Sequence, residues 1–289
     1  MNKQRSMNYR ATRNILIADS GATKTDWCLT RNGEILQRVS GKGISPVYQA
    51  EEEIEEVIRL QVCPQLKNWE IHSIYFYGSG CIPGKSVLVE RALHKSFSIG
   101  TIQVYSDLMA AAHSLCGHDA GIACIMGTGS NSCEWSGSKI VAQVSPLGFI
   151  LGDEGSGAAL GRQLLGDAMK NQLSPGLRQK LLKEYNLTPT LIIEKVYRQP
   201  FPSRFLASFA PFLLSNIEDE SIRRIVNRSF TDFFERNVMQ YDYRKQKVHF
   251  VGSIAWYFAD LLREVAATKE IMIGKIAQSP MPGLIDFHK

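Results

Sequence analysis

The sequence predicts an α/β protein made of two related halves, each a sheet layered with helices. Three observations carry this. One pattern is written twice: Ile15-Leu16-Ile17-Ala18 runs into Asp19-Ser20-Gly21-Ala22-Thr23-Lys24-Thr25, and about a hundred residues later Ile122-Ala123-Cys124-Ile125-Met126 runs into Gly127-Thr128-Gly129-Ser130-Asn131-Ser132. Each copy then continues into a second strand and a polar reversal, Cys28-Leu29-Thr30 to Asn32-Gly33 and Cys133-Glu134-Trp135 to Ser136-Gly137. Beyond the opening meander, short apolar strands alternate with helical patterns, which is the order of an α/β layer fold.

The elements follow in turn. Asn14–Asp19, Asp26–Arg31 and Glu34–Val39 read as strands, with Asn32-Gly33 as the tight reversal between the last two. Glu51 to Leu66 carries apolar residues at Ile54, Val57, Ile58, Val62 and Leu66, a helical spacing that Pro64 is expected to shorten or kink. Ser73–Tyr77 is a strand ending in Gly78-Ser79-Gly80, a helix follows Pro83 to about Phe97, and Ile102–Tyr105 is a strand. Asp107 heads the Ala-rich helix Leu108–Leu115. In the second half, the turn Gly152-Asp153-Glu154-Gly155-Ser156-Gly157 opens a helix from about Ala158 to Lys170. Residues 175–243 are mostly helical, Val248–Val251 is a late strand leading through Gly252-Ser253 into the helix Ile254–Ala267, and a last strand lies near Glu270–Ile273, before a tail that can fold back.

Composition excludes several classes. At 289 residues the chain is long enough for two domains with separate cores, and 44% hydrophobic with 21% charged residues is globular usage. No apolar run approaches the roughly eighteen residues of a membrane span. The net charge is +5, but Lys3, Arg5, Arg10 and Arg13 supply four of those charges, leaving no basic body for a nucleic-acid backbone. Residues 1–13 lack the apolar stretch of a secretory signal and read as a disordered basic leader, with Met7 as an alternative start. Six cysteines show no CxxC and no paired spacing, and Cys28, Cys124 and Cys133 sit in apolar strands as small hydrophobes. Disulfides and a metal–thiolate site are not expected, and the chain points to the cytoplasm.

The turns carry the chemistry. Glycine lets backbone N–H groups approach an anion, and Thr and Ser add hydroxyl donors. Two such loops facing each other would grip a polyphosphate from both sides, which makes the chain a candidate nucleotide-dependent phosphotransferase. Both loops, the Asp at a strand-to-helix junction and the Gly-Asp-Glu-Gly-Ser-Gly turn lie at strand ends, where α/β sheets place ligands.

This set of motifs, spread over roughly residues 14 to 285, resembles the actin/Hsp70/sugar-kinase superfold. There, two RNase H-like domains clamp ATP in the cleft between them. Within it the chain is similar to the N-acetylglucosamine kinase-like family, a branch shared with the benzoyl-CoA-reductase-activator ATPases (the BadF/BadG/BcrA/BcrD group). The resemblance implies an N-terminal domain of residues 14–107 and a C-terminal domain of residues 108–289 with a helical insertion. It also implies an ATP- and Mg²⁺-dependent kinase acting on an N-acetylhexosamine such as N-acetylglucosamine. Asp19 would hold Mg²⁺, Gly21 and Thr23 would contact the terminal phosphates, and Lys24 would lend charge. Gly127, Thr128 and Gly129 would form the second phosphate loop, and Gly252 and Ser253 the adenosine motif. Asp107 matches the catalytic base, while Asn131, Gly148 and Asp153 fall among the sugar-binding positions. Many relatives carry Asn before Pro in the segment matching Gly43-Ile44-Ser45-Pro46; here Ser45 offers a hydroxyl instead of an amide fork. The expected partner is a small sugar, with no nucleic acid, no membrane and a homodimer as a possible assembly.

Other readings stay open. Asp107 is also a favoured N-cap residue, as are Asp153 and Glu154 for the helix after them. Gly252-Ser253 also fits an ordinary strand-to-helix turn. In place of a kinase, the fold can serve a regulatory ATPase or sugar-sensing switch acting on a protein partner. The chain lacks the closely spaced cysteines that hold an iron–sulfur cluster in the activator ATPases.

Overall fold

The computed structural model describes residues 13–21 and 23–289. The expected leader, apart from Arg13, and Ala22 of the first loop lie outside the described residues. The chain divides into two compact units, residues up to Ser114 with Met281–Lys289, and Leu115–Pro280. The sequence reading put the boundary at 107/108, with a tail of the second domain that can fold back on the first. The structure moves the boundary, because the helix Asp107–Leu115 packs on the first sheet, and the last helix, Met281–Phe287, packs there too.

The first unit holds β1 (Asn14–Ser20), β2 (Lys24–Arg31), β3 (Glu34–Lys42), β4 (Ser73–Gly78) and β5 (Thr101–Ser106) in the order β3-β2-β1-β4-β5. The β1–β2 and β2–β3 pairs are antiparallel, and β4 and β5 extend the sheet in parallel. Both faces are covered, so both side-chain phases of the strands are apolar. Leu16, Ala18, Trp27, Leu29, Ile74 and Phe76 face the layer of helices Glu51–Val57 and Ser86–Ser96. Ile17, Cys28 and Tyr77 face the other layer, against Ala110, Leu284 and Ile285. There the Tyr77 hydroxyl lies 2.8 Å from His113 Nδ1 and 2.8 Å from His288 Nε2, which fastens the C-terminal segment to this unit. Pro64 lacks the N–H that would bond to the Leu60 carbonyl, and the helix passes this point through a π turn at Ile58–Val62.

The second unit repeats the design. Its strands β6 (Gly121–Met126), β7 (Ser130–Trp135), β8 (Ile140–Val144), β9 (Val248–Val251) and β10 (Ile273–Ala277) run β8-β7-β6-β9-β10 with the same parallel and antiparallel pattern. The last strand begins where the sequence reading ended it. The expected helix 254–267 is broken at Phe258 into Ser253–Tyr257 and Ala259–Ala267. Residues between β8 and β9 form the helical insertion, whose longest member, Glu220–Arg236, buries Ile222, Ile225, Val226, Phe230, Phe233 and Phe234. Asp219 caps it, accepting from the Ser221 and Ile222 amides. Among the described residues no helix is long and apolar enough to cross a membrane.

Candidate active site

In the first unit the strand ends gather the acidic residues. Asp19 is the penultimate residue of β1, half-buried and opposite Asp26 in the β1–β2 register. Burial pushes its carboxyl up to about 7, and the negative charges of Asp26 and Asp107 act in the same direction. Next to it, the buried Ser20 hydroxyl lies 2.6 Å from Thr25 Oγ1 and bonds both the amide and the carbonyl of Ile44. That clasp ties the segment carrying Ser45 to the end of β1. Gly21 and Thr23 form the exposed turn, closed by the Gly21 amide on the Lys24 carbonyl at 3.0 Å. Lys24 Nζ pairs with Asp26 at 2.7 Å.

Asp107 starts the helix after β5. Burial raises its carboxyl above the ordinary range, while the Leu108 amide at 2.9 Å and the Ser79 hydroxyl hold it down. The helix cap is Ser106, whose Oγ accepts from the Met109 amide at 3.3 Å. Ser79 is fixed by its own amide, which donates to the Ser20 carbonyl at 3.0 Å. Gly80 follows with φ +82°, a left-handed conformation suited to glycine, and a Cβ there would lie 2.7 Å from Ser45 Oγ. Thus Asp19, Ser45 and Asp107 lie in one neighbourhood, where Asp19 and Asp107 feel each other's charge and Ser79, which sequence reasoning missed, bonds to Asp107. Cys81 lies beside Asp107, and burial with that negative charge pushes its thiol up to about 12.

In the second unit the loop Gly127–Gly129 docks on the start of the helix Gly157–Met169. The amides of Gly157 and Ala158 donate to the carbonyls of Gly127 and Thr128 at 2.8 and 3.0 Å. Ser156, not Asp153 or Glu154, caps that helix through the Ala159 amide. Asp153, with φ +54° and 9% exposure, lies against the same loop: it accepts from the Ser130 amide at 3.4 Å, and a Cβ on Gly129 would sit 3.0 Å from its Oδ2. Its carboxyl is pushed up to about 6, chiefly by burial. Gly252, at φ +127°, passes so close to the end of β6 that a Cβ would meet the Met126 carbonyl at 2.4 Å. Gly127, Thr128 and Ser253 together line one edge of a cavity of about 440 Å³, otherwise walled by Ala207, Ala210, Pro211, Leu214, Ile254 and Phe258 among others. Asn131 is half-buried and faces β8, where its Oδ1 accepts from Gln143 at 3.3 Å. Gly148 lies on an exposed turn, its carbonyl accepting from the Gly152 amide at 2.8 Å while the Asp153 amide closes on the Pro146 carbonyl.

Among the described residues no three His, Cys, Asp or Glu side chains converge as a metal site. Asp19 offers hard oxygen donors and carries a surplus of neighbouring negative charge. A single carboxylate completed by phosphate oxygens and water is a usual arrangement for Mg²⁺, and the residues fit that ion.

Two sheets of the same strand order, each with a glycine turn between its first two strands, define a two-domain protein of the actin/Hsp70/sugar-kinase superfold. No protein-family model matches the chain, and no curated protein does. Among solved structures, the putative N-acetylglucosamine kinase of Porphyromonas gingivalis is 46% identical, with 95% of this chain and 98% of that chain covered and a TM-score of 0.92. The putative N-acetylglucosamine kinase of Chromobacterium violaceum shares the fold at 16% identity, covering 96% of this chain and 99% of that one with a TM-score of 0.75. So does the ROK-family glucokinase of Streptomyces griseus, solved with glucose and AMPPNP, at 16% identity over 95% of this chain and 97% of that one, TM-score 0.56. The chain belongs to the N-acetylglucosamine kinase-like family.

Proposed function

We propose that the protein is an ATP-dependent sugar kinase that transfers the γ-phosphoryl group to a hydroxyl of an N-acetylhexosamine such as N-acetylglucosamine. The observation that carries this reading is Asp107, which is half-buried, raised in proton affinity and held by Ser79 and the Leu108 amide while Ser106 caps its helix. A carboxylate relieved of capping and moved toward neutral pH is suited to general-base work. The family relative, named for this activity, supports the substrate class.

Phosphoryl transfer depends on positioning and charge stabilisation rather than covalent help. In this reading Asp107 accepts the proton of the sugar hydroxyl, and Ser79 fixes the orientation of its carboxylate. Ser45 borders the sugar beside the same turn, with Asn131, Gly148 and Asp153 as further sugar contacts. Gly21, Thr23 and Lys24 of the first loop and Gly127, Thr128 and Gly129 of the second hold the nucleotide phosphates. Gly252 and Ser253 back the nucleoside in the apolar cavity. Asp19 holds Mg²⁺, which when bound neutralises phosphate charge.

The test is ADP release over a panel of amino sugars, with the phosphorylated sugar identified by mass spectrometry. We expect release to depend on an N-acetylhexosamine. Hydrolysis indifferent to every sugar, yet altered by a protein partner, would establish a regulatory ATPase instead.

A further inference from the structure

The cavity beside the second glycine loop is chemically one-sided. Its volume, about 440 Å³, falls within the roughly 300–1,000 Å³ of small-ligand pockets. Among the described residues that line it, no side chain is a carboxylate, amide, imidazole, ammonium or guanidinium. Its apolar surface comes from Ala210, Pro211, Leu214, Ile254 and Phe258, and Pro211 has no backbone N–H to offer. The remaining polar side-chain groups are hydroxyls, on Thr128, Ser208, Ser253 and Tyr257. The Ser208 hydroxyl donates to the Phe205 carbonyl at 2.7 Å, and that of Tyr257 accepts from Gln278 Nε2 at 3.1 Å.

Adenine and guanine share a shape but differ in polarity at one edge. Adenine presents a donor at N6 where guanine presents an acceptor at O6. Telling them apart requires groups of committed polarity aimed at that edge, such as a carboxylate or backbone carbonyl that only accepts, or a cation or backbone N–H that only donates. The hydroxyls of Thr128 and Ser253 are not committed, because a hydroxyl rotates to donate or to accept, whereas Ser208 already spends its proton on the Phe205 carbonyl. A site built on committed hydrogen bonds rejects the wrong ligand by roughly 10⁴–10⁵, whereas an apolar pocket separates near-isosteres by only about 10–200-fold.

We infer that this pocket is permissive for the purine base, so that the protein takes guanosine as well as adenosine nucleotides and holds the ring by its faces. Pyrimidine nucleotides cover less of the apolar wall and bind more weakly. The description of these nucleotides as phosphoryl donors rests on the kinase reading; the base tolerance rests on the wall alone.

The experiment is titration of the full-length protein with Mg·ADP, Mg·GDP and Mg·CDP, alongside kcat/KM for ATP and GTP with the sugar. ADP and GDP are expected to bind within about tenfold of each other, and CDP to bind more weakly than either. GDP binding more than about a hundredfold weaker than ADP overturns the inference, even where ATP phosphorylates the sugar efficiently. Failure of both to bind also overturns it. Equal binding without sugar phosphorylation by either triphosphate supports the permissive pocket and defeats the kinase reading instead. Leu214→Ala removes part of the wall and should weaken ADP and GDP by the same factor, about three- to tenfold. With its melting curve checked to confirm folding, a loss confined to one base, or no loss with either, counts against the inference.

Discussion

The two halves have one scaffold and different charges. In the first hairpin Asp19 stands opposite Asp26; in the second, with Gly78 and Val251 aligned, the corresponding pair is Cys124 and Ser132. The parallel registers place Gly78 opposite Ser106 and Val251 opposite Ala277, so Asp107 corresponds to Gln278 and Ser79 to Gly252. The first half gathers two carboxylates, Asp19 and Asp107, at its strand ends; the second also buries one, Asp153, but at its strand ends brings backbone against backbone: Gly252 on the Met126 carbonyl, and the Gly127 carbonyl on the Gly157 amide. Burying a carboxylate is costly, and Asp19, Asp107 and Asp153 are all raised in pKa as a result. Topology alone therefore assigns no role. The same sheet carries two raised carboxylates at its strand ends in one copy and lies beside an apolar cavity of about 440 Å³ in the other.

The sharpest way to break this contrast is to remove Asp107, the proposed base. Asp107→Asn keeps the size of the side chain but cannot accept the hydroxyl proton. A positioned general base contributes roughly 10²–10⁴-fold, so turnover should fall by that factor while ADP affinity holds. Because Ser106 caps the helix, the melting temperature should barely change. Steady-state kinetics and a melting curve decide it. The counterpart change, Gln278→Ala, should leave turnover nearly intact.

Paired substitutions at Ser79 and Gly252 should fail in different ways. Gly252→Ala forces a side chain into a left-handed backbone and onto the Met126 carbonyl. Strain of this kind costs about 1–3 kcal/mol, and the shift it forces at Gly127 should weaken nucleotide binding. Ser79→Ala instead removes the hydroxyl that holds the Asp107 carboxyl down, so the acidic limb of the pH–rate profile should move to higher pH. Ser79→Thr should restore it. A profile that stays in place would make Ser79 a structural residue only.

The charge surplus itself predicts a pH dependence. Asp19 is raised from 3.8 to about 7, so the folded protein binds its proton more tightly than the unfolded chain does. Its favourable contribution is complete below the unfolded pKa and is lost as pH rises toward about 7. Thermal melts from pH 5 to pH 8 without Mg²⁺ should show this decline. Asp19→Asn should flatten the decline and melt higher at pH 8. An unaltered slope would mean that Asp19 is not the group concerned.

Much of this was legible in the chain. The repeated apolar strand and glycine turn gave both hairpins, and a single Pro64 announced the irregular helix. Asp107 and Asp19 stood out by residue type and strand-end position, and the structure brings their charges within reach of each other. The apolar cavity was not legible, since Ala207, Pro211, Leu214 and Phe258 are ordinary hydrophobes until helices far apart in sequence bring them together. Ser79 was hidden for the same reason: its partners Ser20 and Asp107 are set by sheet registers that no local pattern encodes. The last helix was missed because its apolar face answers to Tyr77, His113 and the first sheet rather than to its neighbours in the chain.

The smallest expected effect concerns Ser45. It is 6% exposed, its amide donates to Gln49 Oε1 at 2.7 Å, and its carbonyl accepts from the Tyr48 and Gln49 amides. Those bonds belong to the backbone and survive any change of side chain. The hydroxyl alone faces the Gly80 turn next to Ser79, close to the base. Ser45→Ala should therefore keep the fold and remove one hydrogen bond to the sugar, a loss of about 0.5–1.5 kcal/mol that raises the sugar KM by roughly two- to tenfold. Turnover at saturating sugar and ADP affinity should not move, because neither the base nor the phosphate loops are touched. If KM is unchanged and the melting temperature falls instead, the hydroxyl serves the turn, and sugar recognition beside Asp107 lies with other groups.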